Sequence, residues 1–191
     1  VFKKLLRSFQ IVEKMEKKEQ SKSNFTLRPW SLDDLDSLVH FANNAKIASN
    51  LTDRFPYPYT VENGKWFIGM ATSNTPIHVF AIDQDGLAIG AIGLHDVEGD
   101  AIYSKNKELG YWLAEPYWGQ GIITEAVQQM VRYGFQHWDI NRIFARPFGR
   151  NVASKRVLEK AGFTLEARID QILFKNGVYE DELIYGIRRS R

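Results

Sequence analysis

From Phe25 onward the apolar positions recur with one of two periods, and each change of period marks a boundary between elements. FTLRPW alternates as a short strand, and Ser31 with Asp34 three residues later forms an N-cap and acidic first turn for a helix expected through about Ala45. DRFPYPYT, with two prolines and two tyrosines, breaks the pattern before Thr60 caps a second helix, roughly Val61 to Thr72. HVFAID, GLAIGAIGLHDV and KELGYWL then follow as three runs of β-branched, aromatic and alternating residues. With Asp85-Gly86 as the turn between the first two, they predict an antiparallel meander.

The second half shifts to helical spacing. TEAVQQMVRYGFQHW repeats apolar residues at Ala126, Met130, Val131 and Phe135, NRIFARP reads as a strand, and NVASKRVLEKAGF is a helix closed by Gly162. LEARIDQILFK and YEDELIYGI close the chain as a hairpin turned at Asn176-Gly177. The passage from KELGYWL through the long helix to NRIFARP is a βαβ unit, expected to be right-handed. The predicted class is therefore α/β (α+β), a mixed central sheet of about six to seven strands with helices on both faces.

Composition narrows the chemistry. The 191 residues contain no Cys, which removes thiolate nucleophiles, disulfides and Cys-based metal sites and fits a cytoplasmic setting. Residues 1–24 carry seven Lys/Arg against three Glu, so the net charge of +2 leaves residues 25–191 at about −2, unlike a nucleic-acid binder. The leader places Phe2, Leu5, Leu6, Phe9, Val12 and Met15 on one face at helical spacing, a basic amphipathic helix, and Lys17 to Ser23 is a polar linker. Its charges are too frequent for a signal h-region, and stable membrane insertion is not expected. Met15 is a candidate start. The expected division is a leader over 1–24 and one domain over 25–191.

Ligands of βαβ units sit beyond the carboxyl ends of the parallel strands, where helix N-termini offer free N–H groups. That points to residues 112–124, where Gly119 and Gly121 stand immediately before the long helix and allow the backbone to present successive amides to an anion. The P-loop pattern is absent, and Thr124 stands where a dinucleotide fingerprint needs its third Gly or Ala.

WLAEPYWGQGIITEA, NRIFARP and NVASKRVLEKAGF, in this order and spacing, resemble the GNAT superfamily of acyl-CoA-dependent N-acyltransferases. Within it they are most similar to the ribosomal-protein alanine/serine N-terminal acetyltransferases. The resemblance covers residues 25–188. It implies a GNAT fold with a splayed parallel strand pair and a pyrophosphate loop at Trp118, Gly119, Gln120, Gly121, Ile122 and Ile123, with Thr124 following. Trp118 departs from the usual Gln or Arg, and Ile123 from the usual Gly or Ala, which sets a bulky side chain beside the phosphates. The resemblance further implies that Trp112 and Leu113 offer main-chain groups to pantetheine, and a backbone N–H there, assigned to Leu113, polarises the thioester carbonyl.

Asn151 and Ser154 match the subgroup's N-x-x-S: Asn151 would bond pantetheine and Ser154 would protonate the leaving thiolate or bond the sulfur, the alternative being an N-cap and a first-turn residue. Lys155 is expected to pair with phosphate, or else to be a solvated helix charge. Glu108 is the leading general base, ahead of Asp170, with an outward strand charge as the alternative. Tyr57 and Tyr59 are expected at the acceptor site, or else merely to cover the sheet end, with His95 near a strand end, and no metal site is expected. The implied reaction is direct transfer of acetyl from acetyl-CoA to a primary amine in a ternary complex, the acceptor being a protein or peptide N-terminus. Acetylation of a small amine and acyl-CoA sensing without turnover remain open beside it, as does a homodimer.

Overall fold

A computed structural model describes residues 24–189; the amphipathic helix expected in the leader lies outside the described residues. Among the described residues, seven strands form one sheet in the order β1-β2-β3-β4-β5-β7-β6. They are β1 (Thr26–Arg28), β2 (Val79–Gln84), β3 (Leu87–Asp96), β4 (Asn106–Leu113), β5 (Arg142–Ala145), β6 (Thr164–Lys175) and β7 (Val178–Arg188). Only β4 and β5 run parallel; the other neighbours are antiparallel, including the expected meander β2-β3-β4. Both hairpin turns form where the Asp-Gly and Asn-Gly pairs stand, with positive φ at Asp85 and Gly86 and at Asn176 and Gly177.

The helices are α1 (Leu35–Ala42), α2 (Ala45–Ala48), α3 (Val61–Ala71), α4 (Ile122–His137) and α5 (Val152–Lys160). The first helical segment is more broken than its pattern suggests. Ser31 caps a short 3-10 turn (Leu32–Asp34) before α1, and α1 stops at Asn43. Asn44 then caps α2 by accepting from the backbone N–H groups of Lys46 and Ile47. Two polar residues that satisfy local amides divide what apolar spacing alone joins.

Each sheet face has its own core. On one face α4 and α5 bury Val127, Met130 and Leu158 against Ile92, Leu94 and Ile143. On the other, α1 and α3 bury Leu38, Ala42 and Ile68 against Val79, Ala81 and Trp112. This two-sided burial explains why β2 and β3 read as nearly continuous apolar runs. Among the described residues, no helix is long and apolar enough to cross a membrane.

Candidate active site at the splayed strands

The parallel pairing of β4 with β5 ends after three residue pairs, Asn106–Arg142, Lys107–Ile143 and Glu108–Phe144. Beyond them the chain leaving β5 stays with β7, where Leu183 N–H donates to the Pro147 carbonyl at 3.1 Å and Gly149 N–H to the Asp181 carbonyl at 2.8 Å. β4 continues to Leu113 along β3. An opening with unpaired main-chain groups is left between them.

The register fixes which groups face that opening. Ala114 N–H donates to the Ile89 carbonyl at 2.8 Å, so the bonded partners across β3 and β4 are residues 114/89, 112/91 and 110/93. Trp112 thus commits its main chain to Ala91, and its ring is buried in the second core, 6.0 Å from the Phe55 ring centroid. This corrects the expectation that Trp112 offers its backbone to pantetheine; Tyr111 and Leu113 face the opening instead. The Leu113 carbonyl already accepts from Trp118 Nε1 at 2.7 Å, which leaves its N–H.

The loop between β4 and α4 is braced from within. Trp118 holds the end of β4, and Gln120 Nε2 donates to the Pro116 carbonyl at 3.1 Å, so both side chains brace the loop although both residues are exposed. Gly119 and Gly121 adopt φ values of 76° and 84°, and a Cβ at either position would meet no atom within 4 Å. Gly121 starts the 16-residue α4 without a side-chain cap, so the N–H groups of Ile122, Ile123 and Thr124 lie in its first turn with no helical acceptor. An anion fits this open cradle of amides. Ile122 is buried and Ile123 packs against the main core, so the bulk expected beside the phosphates is drawn inward.

Across the opening, Asn151 caps α5 by accepting from Ser154 N–H at 3.0 Å, which leaves its amide NH2 for other partners. Ser154 Oγ lies 2.7 Å from the Tyr111 hydroxyl. Burial pushes that phenol up to about 12, against a smaller opposing effect of the Ser154 bond. The Lys155 ammonium donates to the Gly149 carbonyl at 3.3 Å.

The other face of the opening carries charge. Glu108 accepts from Arg146 through both oxygens, at 3.0 and 2.8 Å, and Arg146 Nη1 lies 3.8 Å from Glu182. The carboxylate nominated as base is therefore fully engaged by a guanidinium. Asp170, the second candidate, pairs with Arg168 on the hairpin. His95 lies opposite Glu108 across β3 and β4, its Nε2 3.4 Å from where a Cβ on Gly110 would stand. The surrounding atoms, the Lys107 charge and Arg54 hold its ring below the ordinary histidine value against the pull of Glu108, although part of the residue reaches solvent.

The two tyrosines separate. Tyr57 is 56% exposed, whereas Tyr59 is 5% exposed, its ring 5.2 Å from Phe55 within the second core. Burial raises the Tyr59 phenol to about 12. Beside them Phe55, Tyr59, Trp66 and Phe67 line an open cavity of about 210 Å3.

Sequence reading missed Tyr111 and Arg146. Strand alternation places Tyr111 opposite in facing to Glu108 and Trp112, but nothing local connects it to Ser154, 43 residues away.

A mixed sheet whose one parallel pair splays beside an open cradle of helix N-terminal amides is the arrangement that the GNAT resemblance implies. In agreement, a family profile described as Acetyltransferase (GNAT) domain matches residues 24–164, and the chain belongs to that family. The ribosomal-protein-serine acetyltransferase of Escherichia coli (strain K12) is 33% identical over 107 residues, covering 56% of this chain and 58% of that protein. The SPbeta prophage-derived uncharacterized N-acetyltransferase YokL of Bacillus subtilis (strain 168) is 26% identical over 169 residues, 87% of this chain and 91% of that protein. Several other curated relatives are matched over little more than half their length, 55–59%. The fold is shared with RimL, a ribosomal L7/L12 alpha-N-protein acetyltransferase solved in complex with coenzyme A, at a TM-score of 0.76 and 22% identity over 87% of this chain and 95% of that one.

Proposed function

We propose that this GNAT N-acetyltransferase transfers acetyl from acetyl-CoA to the α-amine of a protein or peptide N-terminus. The observation that carries the acceptor class is the parting of Tyr57 and Tyr59: one is exposed and the other is core, so they do not wall a closed pocket sized for a small amine. An open rim admits a chain end. The name of the Escherichia coli relative supports the same class.

Acetyl-CoA would supply an activated acyl thioester. The N–H groups from Gly119 to Thr124 hold its pyrophosphate, and Tyr111, Leu113 and the Asn151 amide line its pantetheine. The Leu113 N–H faces the position for a thioester carbonyl, and Ser154 that for the sulfur. Glu108, Glu182 and Arg146 together leave one negative charge at the rim, which attracts an ammonium. An α-amine titrates at about 7.7–8.0, so a useful neutral fraction exists at pH 7 without a strong base, unlike a Lys amine at about 10.4.

The test is release of free CoA with peptides bearing free or blocked N-termini and with polyamines and aminoglycosides, products being located by mass spectrometry. Acetylation confined to free peptide α-amines supports the proposal. Acetylation of small amines alone replaces the acceptor class, and binding of acetyl-CoA without release against any amine favours a sensor.

A further inference from the structure

Tyr111 is an ionisable side chain in contact with Ser154, and it belongs to a different element. It stands on β4 with its ring packed against the main core, and its hydroxyl lies 2.7 Å from Ser154 Oγ on α5. Ser154 is fixed from the other side as well, since its backbone N–H donates to the Asn151 cap. A phenol is a better donor and a poorer acceptor than an alkyl hydroxyl. Either hydroxyl can be the donor at this distance; when the phenol donates, the serine proton is the one able to point elsewhere.

We propose that Tyr111 is a positioning residue: by donating to Ser154 Oγ, it turns the serine's proton into the opening between β4 and β5, toward the departing sulfur. The proposal rests on the acetyl-CoA reading of the opening but not on the choice of acceptor. As the amine nitrogen bonds the acyl carbon, the carbon–sulfur bond breaks, and the sulfur keeps the electron pair as a thiolate. The amine proton goes to solvent. Ser154 and Tyr111 both keep their protons, and their contribution is a hydrogen bond to the thiolate. A phenol pushed up to about 12 is far above a free thiol at about 8.5, so it retains its proton at this step.

The test uses CoA itself, with no acceptor present. The thiol of enzyme-bound CoA is titrated through the ultraviolet absorbance of its thiolate, in the wild-type protein and in Tyr111→Phe, Ser154→Ala and the double variant. Phenylalanine keeps the ring packing, and alanine keeps the backbone N–H that bonds Asn151. We expect each single variant to make the bound thiol about five- to tenfold less acidic, with the double variant no worse than Ser154→Ala alone. With any accepted amine, kcat should fall by a similar factor while the KM for acetyl-CoA holds. A Tyr111→Phe complex that titrates like the wild type would overturn the proposal, as would additive losses in the double variant. A loss of CoA affinity equal to the loss of kcat would show packing alone. A wrong acceptor class leaves the titration untouched, whereas failure to bind CoA removes the cofactor reading and this proposal with it.

Discussion

Glu108 shows how a neighbour from another strand changes what a side chain can do. Spacing along β4 makes it a natural base, yet Arg146, reached only through the β5 turn, holds both of its oxygens. If its work is electrostatic attraction, Glu108→Gln should raise the KM for a peptide acceptor several-fold and leave acetyl-CoA binding unchanged. The kcat/KM midpoint should stay near the α-amine value of about 7.7–8.0. A displaced midpoint would return the base role to Glu108. Far from the opening, Arg28 bridges two buried carboxylates, bonding Asp34 at 2.6 and 2.7 Å and Asp83 at 2.9 Å. Burial pushes Asp34 up, but the bonds from Arg28 and the Ser31 N–H outweigh it and hold the carboxyl below its ordinary 3.8. The sign follows from linkage: a lowered native value contributes stability at neutral pH that fades as acid protonates the group below about pH 4. Arg28→Met should therefore cost about 2 to 3 kcal/mol at pH 7, moderated because the guanidinium still reaches water. The gap from wild type in thermal melts should narrow below about pH 4.

At the scale of elements, the loop before α4 is set by two bonds from side chains to backbone, and the first of them spans from Trp118 to the end of β4. Trp118→Phe keeps an aromatic ring but removes that donor, freeing the Leu113 carbonyl and loosening the frame that presents the amides. Acetyl-CoA should bind about five- to tenfold more weakly, measured by calorimetry, with little change in melting temperature. Unchanged affinity would mean that the loop holds its shape without this bond. The glycines, the start of the long helix and both hairpins were legible locally because each depends on residues adjacent in sequence. The 3-10 entry to α1 and the break at Asn43 were not. Ser31 and Asn44 serve amides two or three residues away, Asn43 accepts from the Tyr59 N–H, and apolar periodicity carries no sign of that competition.

For the whole molecule, the long β6–β7 hairpin is tied across to the turn-rich segment before α3. Lys175 Nζ donates to the Leu51 carbonyl at 2.6 Å and to Asp53 at 2.9 Å, with only 10% of its side chain exposed. Arg150 adds bonds to the Ser49 carbonyl and Glu180. The loop that carries Phe55, Tyr57 and Tyr59 is thus anchored by residues from the far end of the chain. Lys175→Met should raise the acceptor KM while leaving acetyl-CoA affinity intact, because the amide cradle lies on other elements. A parallel loss of both would indicate general destabilisation instead of a local effect on the rim.

By itself the sequence determined a sheet of about six to seven strands, their turns, the helix that follows the glycine loop and the family, since these rest on spacing and on short motifs read in place. Tertiary structure alone decided that Tyr111 and Leu113 face the opening while Trp112 does not, that Ile123 folds inward, that Lys155 and Glu108 are engaged, and that Tyr59 is core. Those outcomes depend on hydrogen-bond register and on side chains that meet from distant elements, and one residue of strand register reverses every facing along β4.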